Sequence, residues 1–213
     1  MNGFLDERKQ MVAYQLQARG IRDPRVLEAF ESIPRHLFVP EEAREWAYED
    51  CPLLIGYDQT ISQPYIVAYM VQALELTGAE RVLEVGTGSG YEAAILSRLA
   101  QEVHTIELIA PLAKRAAHAL EIAGVANVFT HTGDGSQGWV GCAPYDAIIV
   151  SAAAPYVLNG LLEQLANHGR MILPVNAGRY QRLELWRHED DSFSHETLIP
   201  VTFVPLRGRE GIW

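Results

Sequence analysis

Three glycines at alternate positions, Gly86, Gly88 and Gly90, stand between the apolar run 81–85 and the helical stretch 91–99. Glycine tolerates positive φ and lets a ligand approach bare backbone, and the helix that follows begins with N–H groups that have no helical partner. A turn that is glycine-rich for no functional reason is the alternative, but the strand and helix on either side favour ligand binding. The motif therefore predicts a nucleotide-like ligand.

The charges around this turn indicate which nucleotide it binds. Residues 88–93, GSGYEA, also satisfy the dinucleotide pattern G-x-G-x-x-A, in which a pyrophosphate lies on the helix N-terminus. Glu84 ends the strand and Glu92 lies in the first helical turn, and both carboxylates would repel an anion. S-adenosylmethionine carries a sulfonium and an ammonium but no phosphate, so the acidic neighbours favour it over a nicotinamide cofactor.

Two further acidic residues follow the next two predicted strands. Glu107 lies 21 positions after Gly86 at a strand end, where a carboxylate can accept hydrogen bonds from both ribose hydroxyls. Asp134 and Gly135 follow the third strand, at the sheet edge where such folds bind adenine. A simple Asx turn is the alternative interpretation of Asp134.

A polar segment, 56–70 (GYDQTISQPYIVAYM), precedes these motifs and becomes helical. Ser62 stands before Gln63 and Pro64 and is predicted to be the N-cap of that helix. Gln59, Thr60 and Ser62 also place three hydrogen-bonding side chains within four residues. This density predicts ligand contact in addition to capping.

Other chemistries have weak support. The seven histidines show no metal-ligand spacing, so we expect no metal. A serine hydrolase would need G-x-S-x-G after a strand, and the nearest text, residues 86–90, has no residue free to be an exposed nucleophile if its amides hold a ligand. Cys51 and Cys142 are too few for a disulfide framework, and we expect two mostly buried thiols.

The elements that must position these residues fall into two parts. Residues 5–50 have helical spacing, with stops at Gly20 and Ile33-Pro34, an N-cap at Asp23 and a third short helix after Pro40. From Arg81 onward, seven β-rich runs follow, which alternate with helical stretches in most intervals and then end in a hairpin at 190–192. The runs are RVLEVG, VHTIE, NVFTHT, YDAIIVSA, RMILPV, RLELWRHE and ETLIPVTFVPL.

These runs are nearly continuous in apolar residues, as in strands that helices cover on both faces. The expected fold class is α/β: a Rossmann-like, S-adenosylmethionine-dependent methyltransferase fold with a mixed sheet of about seven strands. The 213 residues are expected to form one domain, 1–213. It comprises a helical N-terminal elaboration (1–55), a substrate and active-site segment (56–80) and a sheet core (81–213).

The composition of the chain restricts the kinds of partner that we expect. The net charge of -10 is the wrong sign for neutralising many phosphates, so we expect no nucleic acid. Four charges within MNGFLDERKQ do not fit a signal core, and no stretch reaches the ~18 apolar residues of a membrane span. We therefore expect a cytoplasmic protein with no membrane partner, acting as a monomer.

Nearly the whole chain resembles the protein-L-isoaspartate O-methyltransferase family. The matching text includes MVAYQLQARGIRDPRVLEAF, IPRHLFVP, AYEDCPLLIGYDQTISQPYIVAYM, VLEVGTGSGYEAAILSRL, VHTIEL, NVFTHTGDGSQGW, APYDAIIVSAAA, QLANHGRMILPV and FVPL. The TISQP segment is specific to this family, whereas the glycine motif is shared by S-adenosylmethionine-dependent enzymes generally. Two departures, Asp58 where many members have glycine and the tail 207–211, concern the substrate lip.

The resemblance assigns roles to individual residues. It implies that Ser62 is the active-site hydroxyl and that three neighbours line the substrate site: Gln59, Thr60 and Ile61. The donor, S-adenosylmethionine, is expected to lie against Glu84, Gly86, Gly88, Gly90, Glu107, Asp134 and Gly135, with Val67 at a further contact position. The implied acceptors are proteins and peptides that contain isoaspartyl residues.

The implied reaction needs no general base, because a carboxylate with a pKa near 4 is already ionised at neutral pH. Ser62 is expected to donate to the carboxylate oxygen that does not attack the methyl group. Three alternatives remain open: a nicotinamide oxidoreductase, a non-catalytic nucleotide-binding module, and a carboxyl methyltransferase that acts on ordinary aspartate in a dedicated peptide.

Overall fold

The computed structural model describes residues 3–190 and 192–211. Its first elements are α1 (Gly3–Gln10), a π-helix (Met11–Leu16), a 3-10 helix (Gln17–Arg19), α2 (Pro24–Ser32) and two more 3-10 helices (Arg35–Leu37 and Glu41–Trp46). Asp23 caps α2, since its carboxylate accepts a hydrogen bond from the amide of Arg25 at 2.8 Å. The predicted stops at Gly20 and Ile33 are confirmed.

A short hairpin and a helix follow. Strands β1 (Leu53–Gly56) and β2 (Gln59–Ile61) pair antiparallel across a turn in which Tyr57 and Asp58 both have positive φ. Helix α3 (Pro64–Ala73) begins two residues later. The hairpin holds Gln59 and Ile61 in extended backbone directly ahead of the helix.

The predicted capping role of Ser62 is wrong. Gln63 is the residue that precedes the first helical turn, and no side chain caps α3. The carbonyl of Gln63 accepts the amides of Ile66 and Val67 at 3.1 and 3.2 Å, while Pro64 at the first helical position has no N–H to be capped. The hydroxyl of Ser62 is therefore not used by the helix.

A seven-stranded mixed sheet follows, as predicted. Its elements in chain order are β3 (Arg81–Val85), α4 (Tyr91–Leu96), β4 (Glu102–Glu107), α5 (Ala110–Ile122), β5 (Val128–Thr132), β6 (Tyr145–Val150), α6 (Asn159–Leu162), β7 (Leu165–Ala177), β8 (Tyr180–Glu189) and β9 (Ser192–Val201). The strand order is β5-β4-β3-β6-β7-β8-β9. The first five strands in this order are parallel, and β8 and β9 are antiparallel to their neighbours.

Two details differ from the expected strands. The last strand ends at Val201 instead of running on to Leu206, because the chain leaves the sheet and Pro205 forms an isolated bridge with Ala153. The hairpin between β8 and β9 is present, but Asp191 of its predicted turn lies outside the described residues.

Apolar side chains cover both faces of the sheet. One cluster joins the N-terminal helices to the sheet through residues such as Met11, Phe30 and Val82. A second cluster lies on the other face, around Leu83 and Tyr145. Adjacent residues of β3 thus point into opposite clusters, which explains the continuous apolar runs in the sequence.

Two smaller observations complete the fold. Cys51 and Cys142 are free and half-buried, so they are more accessible than expected. Over residues 3–190 and 192–211, helices with the length and apolar character needed to cross a bilayer are not found.

Candidate active site

The main cavity lies at the carboxyl ends of β3, β4 and β6 and has a volume of about 790 Å³. In open α/β sheets, ligands bind at this edge. Eight residues predicted from the sequence line the cavity: Gln59, Thr60, Ile61, Ser62, Gly86, Gly88, Glu107 and Gly135. Val67, the further contact position, also lines it. Three predicted residues do not: Glu84, Gly90 and Asp134.

The backbone amides of the glycine turn are largely occupied within the protein. Gly86 has a φ of +98°, and its amide donates to the carbonyl of Ile106 at 2.9 Å. The amide of Gly90 donates to Thr87 at 2.8 Å, and that of Gly88 donates to the carboxylate of Glu107 at 2.8 Å. An anion such as pyrophosphate would have to compete for these donors, so the turn fits a ligand without phosphate.

Gly90 has a supporting role in the turn. A Cβ atom there would lie 3.2 Å from the Cβ of Ala116 on α5, and the φ of Gly90 is +87°. Glycine therefore lets the start of α4 pack closely against α5. The third glycine shapes the motif without lining the cavity.

Glu107 is buried at the end of β4, and both of its carboxylate oxygens are engaged. One accepts the amide of Gly88 at 2.8 Å and the other accepts the amide of Ile109 at 2.9 Å. Each carboxylate oxygen can accept a second hydrogen bond. Glu107 thus fixes the glycine turn and still has acceptor capacity toward the cavity.

Glu84 lies behind the turn instead of facing the ligand. It is fully buried and accepts a hydrogen bond from the hydroxyl of Thr105, which is also 2.6 Å from the hydroxyl of Thr87. Burial, followed by the nearby charge of Glu92, raises the pKa of Glu84 well above its ordinary value. Glu84 thus meets the glycine turn through Thr105 and lies outside the cavity lining.

Glu92 and Ser151 are cavity residues whose site roles the sequence did not predict. Glu92, in the first turn of α4, is 8% exposed and accepts a hydrogen bond from the hydroxyl of Ser151. Its other oxygen, Oε1, has no hydrogen-bond partner among the described residues. Burial raises the pKa of Glu92 to about 7, although the bond from Ser151 opposes the shift.

Asp134 anchors the C-terminal segment and forms an Asx turn, while its contact with adenine stays a prediction. One oxygen accepts the amide and hydroxyl of Ser136 at 3.0 and 2.7 Å, and the other accepts the amide of Arg209 at 2.7 Å. Burial would raise the pKa of Asp134, but these bonds lower it below its ordinary value. Gly135 lines the cavity. A Cβ atom at this position would lie 2.7 Å from Cγ1 of Val85, so glycine allows the close packing.

The C-terminal segment 204–207 forms a further cavity wall that the sequence did not predict. The carbonyl of Val204 accepts the amide of Ala153, and the amide of Leu206 donates to the carbonyl of Ala153, both at 2.8 Å. Together with the bond from Arg209 to Asp134, these contacts hold the segment across the end of β6.

Ser62 is held in place by a buried arginine. Arg35 is 0% exposed, and its guanidinium donates to the carbonyls of Ser62 and Ala47, both at 2.8 Å. It also lies 4.9 Å above the ring of Tyr91, the first residue of α4. Arg35 thus links the Ser62 backbone to the helix that follows the glycine turn.

A second, more open cleft meets the main cavity at Ser62. Four residues line both: Thr60, Ser62, Ser151 and Val204. The second cleft has a volume of about 1060 Å³ and is otherwise formed by residues near 52, 63–66, 180 and 200–203. The two spaces therefore adjoin along these four residues. Across residues 3–190 and 192–211, histidine, cysteine and acidic side chains form no group of three suited to a metal ion.

The parallel sheet, the glycine turn and the acidic residue at the end of β4 define the Rossmann-like fold of S-adenosylmethionine-dependent methyltransferases. A solved protein-L-isoaspartate O-methyltransferase superposes with a TM-score of 0.87 at 29% identity, over 95% of this chain and 67% of that one. A Plasmodium falciparum structure assigned to the same activity was solved in complex with S-adenosyl-L-homocysteine. It superposes with a TM-score of 0.80 at 23% identity, over 94% of this chain and 98% of that one, and shows the shared fold.

Sequence comparison identifies the family. Residues 6–211 match the family model for protein-L-isoaspartate(D-aspartate) O-methyltransferase. The Rhodopseudomonas palustris (strain HaA2) protein-L-isoaspartate O-methyltransferase 1 is 53% identical over 98% of this chain and 86% of its own length. The Roseiflexus sp. (strain RS-1) protein-L-isoaspartate O-methyltransferase is 52% identical over 96% of this chain and 94% of its own length. The chain belongs to the protein-L-isoaspartate(D-aspartate) O-methyltransferase family.

Proposed function

We propose that this protein transfers the methyl group of S-adenosylmethionine to the free carboxylate of L-isoaspartyl residues in damaged proteins and peptides. The methyl ester starts their repair to aspartyl residues. The observation that carries this proposal is the position of Ser62, which is one of the four residues that line both the main cavity and the second cleft. A methyl donor in the first and a peptide in the second would bring their reacting groups together there.

The cavity suits a cationic donor. Glu92, a buried carboxyl group that lines the cavity, has an oxygen without a partner among the described residues, and the amides of the glycine turn are mostly occupied. S-adenosylmethionine supplies an activated methyl group on a positively charged sulfur. We propose that Glu107 binds the ribose through its remaining acceptor capacity, and that Gly86, Gly88 and Gly135 provide close backbone contact.

The protein's part in the reaction is positioning. The acceptor carboxylate is already ionised at neutral pH, so no side chain has to remove a proton. We propose that Ser62 donates a hydrogen bond to the oxygen that does not attack, while Gln59, Thr60 and Ile61 shape the wall beside it. The attacking oxygen gains the methyl group, and the sulfur keeps the electron pair of the broken bond.

We also propose a single functional unit, 1–213, with the helical segment 1–55 and the segment 56–80 packed on the sheet core 81–213. The apolar cluster shared by the N-terminal helices and the sheet supports this division. Monomeric action is proposed because one chain forms both clefts. The net charge of -10 argues against nucleic acid as acceptor, and the free thiols of Cys51 and Cys142 suit the cytoplasm.

The test compares initial rates of labelled methyl transfer to two peptides of identical sequence, one with isoaspartate and one with aspartate. We expect a base-labile ester on the isoaspartyl peptide and a rate at background on the aspartyl peptide. Equal rates, or a preference for aspartate, would contradict the proposal and favour a carboxyl methyltransferase with a dedicated aspartyl peptide. Donor binding without transfer to any peptide would favour a binding module.

A further inference from the structure

Glu92 is an unusual residue for a ligand cavity because it is a nearly buried carboxyl group without a nearby cation to pair with. One carboxylate oxygen accepts a hydrogen bond from the hydroxyl of Ser151, and the other has no partner among the described residues. An ionised carboxylate in such a place is costly unless a positive charge lies close to it. The cavity itself has room for that charge, since Glu92 lines it.

The groups that face Glu92 do not supply the charge. Glu84 on β3 is fully buried and interacts electrostatically with Glu92, and Glu107 at the end of β4 adds negative charge to the same region. Arg207 of the C-terminal segment is the one cation among the described residues that line the cavity, and the salt bridges found within the described chain include neither Arg207 nor Glu92. Burial raises the pKa of Glu92 to about 7, so its protonated and ionised forms are both populated near neutral pH.

The two ligands of the proposed reaction differ by one methyl group and by the positive charge that it gives the sulfur. The donor has a positively charged sulfur, whereas the product has a neutral sulfur and the same ammonium, carboxylate, ribose and adenine. A carboxylate that senses the sulfur charge can therefore distinguish them, which contacts to the ribose or adenine cannot do.

We propose that Glu92 is the residue by which the cavity discriminates the methyl donor from the demethylated product, through the attraction of its nearly buried, unpartnered carboxylate oxygen for a positively charged sulfur. This inference rests on the proposed function. On donor binding, the carboxyl group of Glu92 releases its proton to solvent, and the carboxylate then faces a cationic ligand. After transfer, the sulfur is neutral, Glu92 takes a proton from solvent, and the attraction that retained the ligand is lost.

The sign of the pH dependence follows. The form of Glu92 that binds the donor is ionised, so affinity for S-adenosylmethionine rises as the pH increases through about 7. If the donor binds only this form, affinity rises about tenfold between pH 6 and pH 8 because the ionised fraction does. Affinity for S-adenosylhomocysteine does not gain from ionisation of Glu92 and should change much less.

Isothermal titration calorimetry tests this inference directly. Both ligands are titrated into wild-type protein and Glu92→Gln at three pH values between 6 and 8, in buffers of different ionisation enthalpy. The wild type should release about half a proton per donor bound at pH 7, which Glu92→Gln should not. The amino group of the donor also titrates near this range, so the difference between the two proteins reports the titration of Glu92 together with its effect on the coupled carboxyl group of Glu84.

Two further variants sharpen the test. Glu184→Gln changes a buried carboxylate on β8, outside the cavity, and should keep the wild-type proton release. Ser151→Ala removes the hydroxyl that stabilises ionised Glu92 and should move the midpoint of the pH dependence upward. The inference would be overturned if Glu92→Gln bound both ligands with the proton release and pH dependence of the wild type. The proposed function would then remain intact. Binding of neither ligand to the wild type would overturn the proposed function itself.

Discussion

Replacing Ser62 by alanine is expected to lower kcat/KM for an isoaspartyl peptide about 10- to 100-fold, as for loss of a hydrogen bond to a charged group. The dissociation constant of S-adenosylmethionine should stay within about twofold, because a side chain at the mouth of the donor cavity is expected to act on the acceptor. Initial rates against peptide concentration, together with calorimetry of donor binding, measure the two effects separately.

The control for Ser62→Ala is Ser32→Ala. The Ser32 hydroxyl donates to a carbonyl within α2 at 2.9 Å and does not line either cleft. This variant should retain wild-type turnover. Equal losses of turnover and donor affinity in Ser62→Ala would contradict a role at the acceptor carboxylate. Threonine at position 62 keeps a hydroxyl on the same backbone, so Ser62→Thr should recover part of the lost rate.

Replacing Glu107 by alanine is expected to weaken S-adenosylmethionine binding about 100-fold, the effect of losing two charge-assisted hydrogen bonds to the ribose. The same change removes the acceptors for the amides of Gly88 and Ile109, so the glycine turn also loses its support. Glu107→Gln retains one side-chain oxygen as an acceptor, so its affinity for the donor should lie between those of Glu107→Ala and the wild type. Donor affinity measured by calorimetry checks both variants.

Glu80 provides the matched control for Glu107. Its carboxylate accepts the amides of Thr77 and Gly78 at 2.8 and 2.9 Å, an arrangement similar to that of Glu107 but away from the cavity. Glu80→Ala should reduce thermal stability and leave donor affinity unchanged. If Glu107→Ala instead bound the donor as tightly as wild type does, the ribose assignment would be wrong.

The sheet and the donor cavity were predictable because their signals are local. Each strand is covered on both faces, so it appears in the sequence as an unbroken apolar run such as 81–85 or 145–150. The glycine turn needs positive φ at Gly86, Gly88 and Gly90, which restricts those positions to glycine or a few other residues. Glu107 was found by its distance from the turn, because parallel strands align their carboxyl ends.

The remaining site residues come together through contacts that have no local signal. Ser151, Val204 and Arg35 reach the site from the end of β6, the C-terminal segment and the N-terminal helices. Nothing in their immediate sequence indicates that they meet. Glu92 was interpreted only as a charge that repels anions, since the sequence does not show that it is buried or that Ser151 lies beside it.

The capping role predicted for Ser62 failed for a physical reason. A serine before Gln63 and Pro64 fits the pattern of a helix start, but the backbone reaches the helix one residue later, and the hairpin ahead of it sets that register. The sequence pattern fitted both helix capping and ligand contact by the Ser62 hydroxyl. The fold excludes capping, because Gln63 is the residue that precedes the first helical turn.

The most direct measurement of the central claim is the location of the transferred methyl group after a single turnover. Enzyme in excess is mixed with S-adenosylmethionine carrying a trideuterated methyl group and an isoaspartyl peptide, and fragments are analysed by mass spectrometry. The label is expected on the isoaspartyl residue as an ester that mild base removes. Label on any other side chain, or donor consumed with an unlabelled peptide, would contradict the account.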